Sequence, residues 1–157
     1  MRILGQKFNQ ELLVEGNDDL HVIWALLEKY SISETFKVID RTGYSALLDS
    51  LPPMLTASTA VIQTIGIVID ADTDIKIRWQ SMRDRLLPYI SLPTSPPSNG
   101  YIGVTTRNPI KRIGIWVMPD NTAPGMLENF IHLLISDDDE LITHCDQFLS
   151  TIEELKL

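Results

Sequence analysis

Acidic side chains in this sequence stand where apolar runs end. The stretch GIVIDADTDIKIRW, from Gly66 to Trp79, sets Asp70, Asp72 and Asp74 two residues apart, directly behind the run Ile65 to Ile69. Like charges this close disfavour one another's ionised form unless a cation or a proton relieves them. Glu15 ends the earlier run ELLVE in the same way, and Asp120 follows the run Ile113 to Met118. Mg²⁺ takes one or two such carboxylates and completes its shell with waters and substrate phosphates. Glu15, Asp70 and Asp72 therefore form the candidate centre.

Each acid also has a plainer use. Aspartates behind a strand cap the next helix or close an Asx turn. Asp74, just before Ile75, fits the cap better than a metal, and Asp18 and Asp19 suit the first turn of a helix, where the macrodipole favours them. The run SDDDE, Ser136 to Glu140, has Asp137 and Glu140 at capping-box spacing. His21, His132 and His144 fall on or beside polar helix faces, and Trp24, Trp79 and Trp116 lie in apolar patterns that read as core or interface. The best local basic patch is Arg107, Lys111 and Arg112, flanking a turn at Asn108-Pro109.

The elements that must position these acids follow from periodicity. ELLVE reads as a strand that Gly16 terminates. Asn17 or Asp18 caps a helix with Leu20, Ile23, Trp24, Leu27 and Tyr30 on one face. A second strand covers Phe36 to Ile39. Thr42 caps a segment from Tyr44 to Leu51, which Pro52 and Pro53 stop or kink. The β-branched run Ile65 to Ile69 suits a central strand covered on both faces, and a helix follows over Ile77 to Leu87.

Beyond the loop LPTSPPSNG, Tyr101 to Thr106 and Ile113 to Met118 form a hairpin. Asn121 or Thr122 caps a helix from Pro124 to Ile135, and a last amphipathic helix spans Asp138 to Glu154. Strands alternating with helices imply right-handed crossovers and a mostly parallel sheet. The expected architecture is a three-layer, Rossmann-like α/β domain over residues 1–157, with an antiparallel hairpin strand near 101–106. Ligands of such sheets bind outside the carboxyl ends of the strands, the edge where Glu15, Asp70 and Asp120 all fall.

Composition narrows the classes. With 157 residues, one cysteine (Cys145) and a net charge of −8, a disulfide and a cysteine zinc site are excluded, and a broad phosphate-gripping basic face is disfavoured. No apolar run is long enough for a bilayer, and the N-terminal MRILGQKFNQ lacks a signal's apolar region. A cytoplasmic protein without membrane attachment is expected.

Three segments carry a family resemblance. LLVEGNDDLHVIWALLE is similar to the first motif of Toprim domains, and GIVIDADTD to their Asp-x-Asp motif. With IGIWVMPDNTAPGMLENFI, the chain resembles Toprim-like proteins of the DUF3226 type, related to the nuclease half of the OLD family. The resemblance implies Mg²⁺ or Mn²⁺ as cofactor and phosphodiester chemistry on DNA or RNA. It makes Glu15 the general acid/base or a metal-linked carboxylate, and Asp70 and Asp72 metal ligands. Two-cation sites of the OLD type add Asp120 and Glu128, whose plainer reading is a first-turn glutamate.

Longer relatives of this type continue into a helical segment with a lysine. Here the site's basic group is one of Lys76, Arg78, Arg107, Lys111 and Arg112, or a catalytic part is missing. Two functions follow. One is a metal-dependent nuclease or other phosphotransferase. The other is a non-catalytic module that binds a metal, nucleotide or protein inside a larger complex, with homodimerisation as a further expectation.

Overall fold

The computed structural model describes residues 8–57, 61–105, 110, 112–136 and 139–155. Five strands, β1 (Gln10–Val14), β2 (Lys37–Asp40), β3 (Thr64–Asp70), β4 (Tyr101–Val104) and β5 (Arg112–Met118), form one sheet in the order β2-β1-β3-β5-β4. All neighbours pair in parallel except β4 with β5. The expected mostly parallel sheet with one antiparallel pair is what the chain forms. The turn expected at Asn108-Pro109 lies outside the described residues.

Among the described residues the helices are α1 (Asn17–Lys29), α2 (Tyr44–Thr56), α3 (Ile75–Leu86), α4 (Leu127–Leu133) and α5 (Glu140–Leu155). Strand alternation sorts them into layers, because successive side chains leave a strand on opposite faces. Ile65, Ile67 and Ile69 of β3 pack with Leu47, Leu51 and Leu55 of α2 and with Trp79, Met82 and Leu86 of α3. Val68 points the other way, into a cluster with Val14, Met118 and Leu127 that Leu20, Ile23 and Trp24 of α1 adjoin. So α2 and α3 cover one face, while α1 and α4 cover the other. Trp79 is buried and its Nε1 donates to the Pro93 carbonyl at 2.9 Å, in keeping with a core tryptophan.

Several expected boundaries move. Gly16, not Asn17 or Asp18, is the N-cap of α1, and Gly43, not Thr42, is that of α2. Helix α2 runs through Pro52 and Pro53 to Thr56. A helix-interior proline costs about 3 kcal/mol. Leu51 and Leu55, both under 5% exposed, each recover roughly 2 kcal/mol by burial, and the Thr56 hydroxyl donates to the Pro52 carbonyl at 2.8 Å. Asp74 does cap α3, accepting from the Lys76 and Ile77 amides, which starts that helix at Ile75 rather than Ile77.

The helix expected from Pro124 begins only at Leu127, with Met126 as its cap. Asn121 is buried instead, its side-chain oxygen accepting from the Val117 amide at 2.8 Å. Asp137, half of the expected capping box, lies outside the described residues. Helix α5 forms where its pattern placed it, but none of its residues is buried.

Candidate metal centre

The chain order β1-α1-β2-α2-β3, with α1 and α2 on opposite faces, makes the gap between β1 and β3 the switch point of the sheet, where crossovers leave in opposite directions. Glu15 directly follows β1, and Asp70 is the last residue of β3. The two meet there: the Asp70 amide donates to Glu15 Oε1 at 2.9 Å. The glutamate thus ties the ends of two neighbouring strands and brings its charge beside the aspartate.

Asp70 sits on the α1/α4 side, as the alternation of β3 requires. Its Oδ1 is buried and has no hydrogen-bond partner among the described residues. Burial raises its pKa to about 7, and the charges of Glu15, Asp19 and Glu128 push in the same direction, while Arg78 opposes them. Glu15 is also raised, chiefly by burial, against the hydrogen bond from Asp70. A buried carboxylate oxygen that lacks a donor and faces three other carboxylates is satisfied by a proton or by a cation.

These acids line a cleft of about 410 Å³ that includes Glu15, Asp19, Asp40, Asp70 and Glu128. Gly16 and Gly43, the caps of α1 and α2, line it as well. Neither glycine supplies a side-chain cap of its own, and the positive ends of two helix dipoles lie beside the acids and offset part of their repulsion. Gly43 has φ of 116°, a conformation that a side chain resists.

Asp72 takes a different part from the one expected. It adopts φ of 52° just after β3, and its main chain is fixed by Gly125, whose amide donates to the Asp72 carbonyl at 2.7 Å. Its carboxylate pairs with Arg78 instead of lining the cleft. Asp120 is committed to its own turn. One of its oxygens accepts from the Thr122 and Ala123 amides, both at 2.8 Å, and from the Thr122 hydroxyl. Those bonds from Ala123 and Thr122 hold its pKa below the usual carboxylate value. The Asx-turn use of Asp120 is therefore realised.

Of the five acids singled out, the fold unites Glu15, Asp70 and Glu128 at one cleft and turns Asp72 and Asp120 elsewhere. Among the described residues no three or more acids, histidines or cysteines are arranged as a ready metal cage. A pair of these carboxylates such as Asp70 and Glu128, with waters completing the shell, would suit Mg²⁺, which keeps several waters, and would not suit zinc.

Sequence reasoning missed Asp19 as a site residue. It is 8% exposed, and its Oδ2 accepts from the Gly16 amide at 2.8 Å. Its spacing reads equally as a helix first turn, and only the burial of α1 against the sheet shows that it faces Asp70. Among the basic candidates, Lys76 is exposed and Arg112 lies at the opposite end of β5, while Arg107 and Lys111 are outside the described residues. Arg78 is the one whose charge reaches Glu15 and Asp70.

Residues 9–157 match the family model described as "Protein of unknown function (DUF3226)". Neither the curated proteins nor the solved structures contain a match.

Proposed function

The chain belongs to the DUF3226 family, and from the chemistry of its cleft we propose a Mg²⁺-dependent phosphotransferase that acts on a phosphodiester, most simply a nuclease of DNA or RNA. The observation that carries this reading is the buried, partnerless Oδ1 of Asp70 beside Glu15 at the switch point. Resemblance of the Glu15-Gly16 and Asp70-x-Asp72 segments to Toprim and OLD-type motifs supports the same class.

Asp70 would hold the ion, with Glu128 across the cleft and Asp72 once its carboxylate leaves Arg78. Mn²⁺ would serve equally. The bound ion would supply Lewis-acid stabilisation of charge on a phosphate oxygen. Glu15, half-buried and with its pKa raised, suits proton transfer at the reacting oxygen, because a base poised nearer neutrality gains in efficiency. Its bond from the Asp70 amide orients the carboxylate for that task.

A second reading has an observation of its own. Asp72 is engaged by Arg78, which favours a module that binds a metal, nucleotide or protein partner without turnover. Thermal unfolding with increasing Mg²⁺ or Mn²⁺, on the wild type and on an Asp70→Ala, Asp72→Ala variant, tests the first point. Cleavage of single- and double-stranded DNA and RNA tests the second. A wild-type shift that the variant loses, with cleavage, supports the enzyme. No metal-dependent shift in the wild type refutes the metal site, and a shift without cleavage of any substrate favours the binding module.

A further inference from the structure

A cation is already built into this acidic edge. Arg78, on the first turn of α3, keeps its side chain only 17% exposed, although arginine is seldom so covered without a role for its charge. Its guanidinium lies 3.9 Å from the centroid of the Tyr44 ring and pairs with Asp72. The Tyr44 hydroxyl donates to the Arg78 carbonyl at 3.0 Å, so the ring that supports the guanidinium is anchored to the helix that carries it. Two elements, α2 and α3, thus hold one arginine at the strand ends.

This arrangement leaves Asp72 with two competing uses. Its main chain is held by the Gly125 amide, and its side chain is 40% exposed, so the carboxylate can turn without moving the loop. Asp70, two residues earlier, has a carboxylate oxygen without a donor among the described residues. Resting on the metal reading above, we propose that Arg78 and a divalent cation compete for Asp72, and that the cation's arrival frees the guanidinium for a phosphate oxygen.

The stacked ring leaves the planar donor fork in place when Asp72 departs. A guanidinium so held binds a phosphate through paired N–H donors, which a lysine cannot reproduce. Removing Asp72 from Arg78 leaves a partly desolvated guanidinium without its paired carboxylate, and a phosphate group restores that pairing. Ion and phosphate binding then become linked, each strengthening the other by the same factor. The cleft stays closed to phosphate through its own negative charge until the ion is present.

Calorimetric titration of the full chain with Mn²⁺, with thymidine 5′-monophosphate, and with each in the presence of the other measures that linkage. In the wild type, Mn²⁺ should strengthen nucleotide binding by about tenfold or more, within the usual range of coupled sites. Arg78→Met should bind Mn²⁺ at least as tightly as the wild type, while losing most of the nucleotide gain. Arg78→Lys, which keeps the charge without the fork, should recover only part of it, and circular dichroism confirms that each variant is folded.

Weaker Mn²⁺ binding by folded Arg78→Met overturns the competition. Wild-type Mn²⁺ binding with an undiminished gain in Arg78→Met overturns the phosphate role and leaves the metal site standing. A wild type that binds no Mn²⁺ overturns both the metal reading and the exchange built on it.

Discussion

Asp70 carries the largest electrostatic conflict of the site. Its folded pKa, about 7, lies well above the ordinary 3.8, so between those values the folded chain binds a proton that the unfolded chain releases. Stability from this group is full below pH 3.8 and is lost as pH rises through 7. The metal-free protein should therefore melt at lower temperature at pH 8 than at pH 5.5, and Mg²⁺ should reverse that loss. Asp70→Asn should flatten the pH dependence. It should also raise metal-free stability at pH 8 by about 1 kcal/mol after solvent screening, and abolish the Mg²⁺-induced rise; melting curves at both pH values decide. Asp120 behaves oppositely, since its lowered pKa adds stability above pH 3.8 that fades as pH falls further. Asp120→Ala should cost about 1 kcal/mol in urea unfolding at neutral pH, as loss of a cap-like acceptor does, yet leave the Mg²⁺-induced shift intact. Both residues looked alike in sequence, each an aspartate behind a strand, and the donors around them separate the two roles.

Element positions were largely legible because apolar periodicity reports burial directly. The strand Ile65 to Ile69 and the Asp74 cap of α3 are where those residues predicted them. Two of the misplaced boundaries involve a competing tertiary gain. Pro52 and Pro53 did not end α2, because Leu55 beyond them packs into the core beside Leu51. Asn121 did not cap α4, because its amide is spent on the Val117 backbone. Between β5 and α4, Gly125 has φ of 141°, and a Cβ there would lie 2.8 Å from the Asn129 side-chain oxygen. Gly125→Ala should destabilise by roughly 1–3 kcal/mol and loosen the tie to Asp72, reducing the Mg²⁺-induced melting shift; urea unfolding and melting curves read the two effects separately. Leu51→Ala should cost about 2–5 kcal/mol, the range for a leucine removed from a packed core, with the metal response of the remaining folded fraction unchanged.

Across the whole molecule, charge and layer order set what the cleft can accept. A net charge of −8 repels a polyanion, so binding of a fluorescein-labelled oligonucleotide should require a divalent cation and vanish with EDTA; ion-independent binding would contradict the metal reading. Among the described residues no helix is long and apolar enough to cross a membrane. Helix α5 illustrates the limit of patterning: its apolar residues Leu141, Phe148 and Leu149 are 57–70% exposed, because an amphipathic stripe predicts a helix without naming what covers it. By itself the sequence determined the alternation of strands and helices, the mostly parallel sheet, and the edge at which Glu15, Asp70 and Asp120 stand, since these follow from local periodicity and crossover handedness. Only the tertiary structure decided which acids share a cleft. Carboxylates separated by tens of residues are paired or parted by the strand order and by the donors that reach them first: the Asp70 amide for Glu15, Arg78 for Asp72, and the turn amides for Asp120.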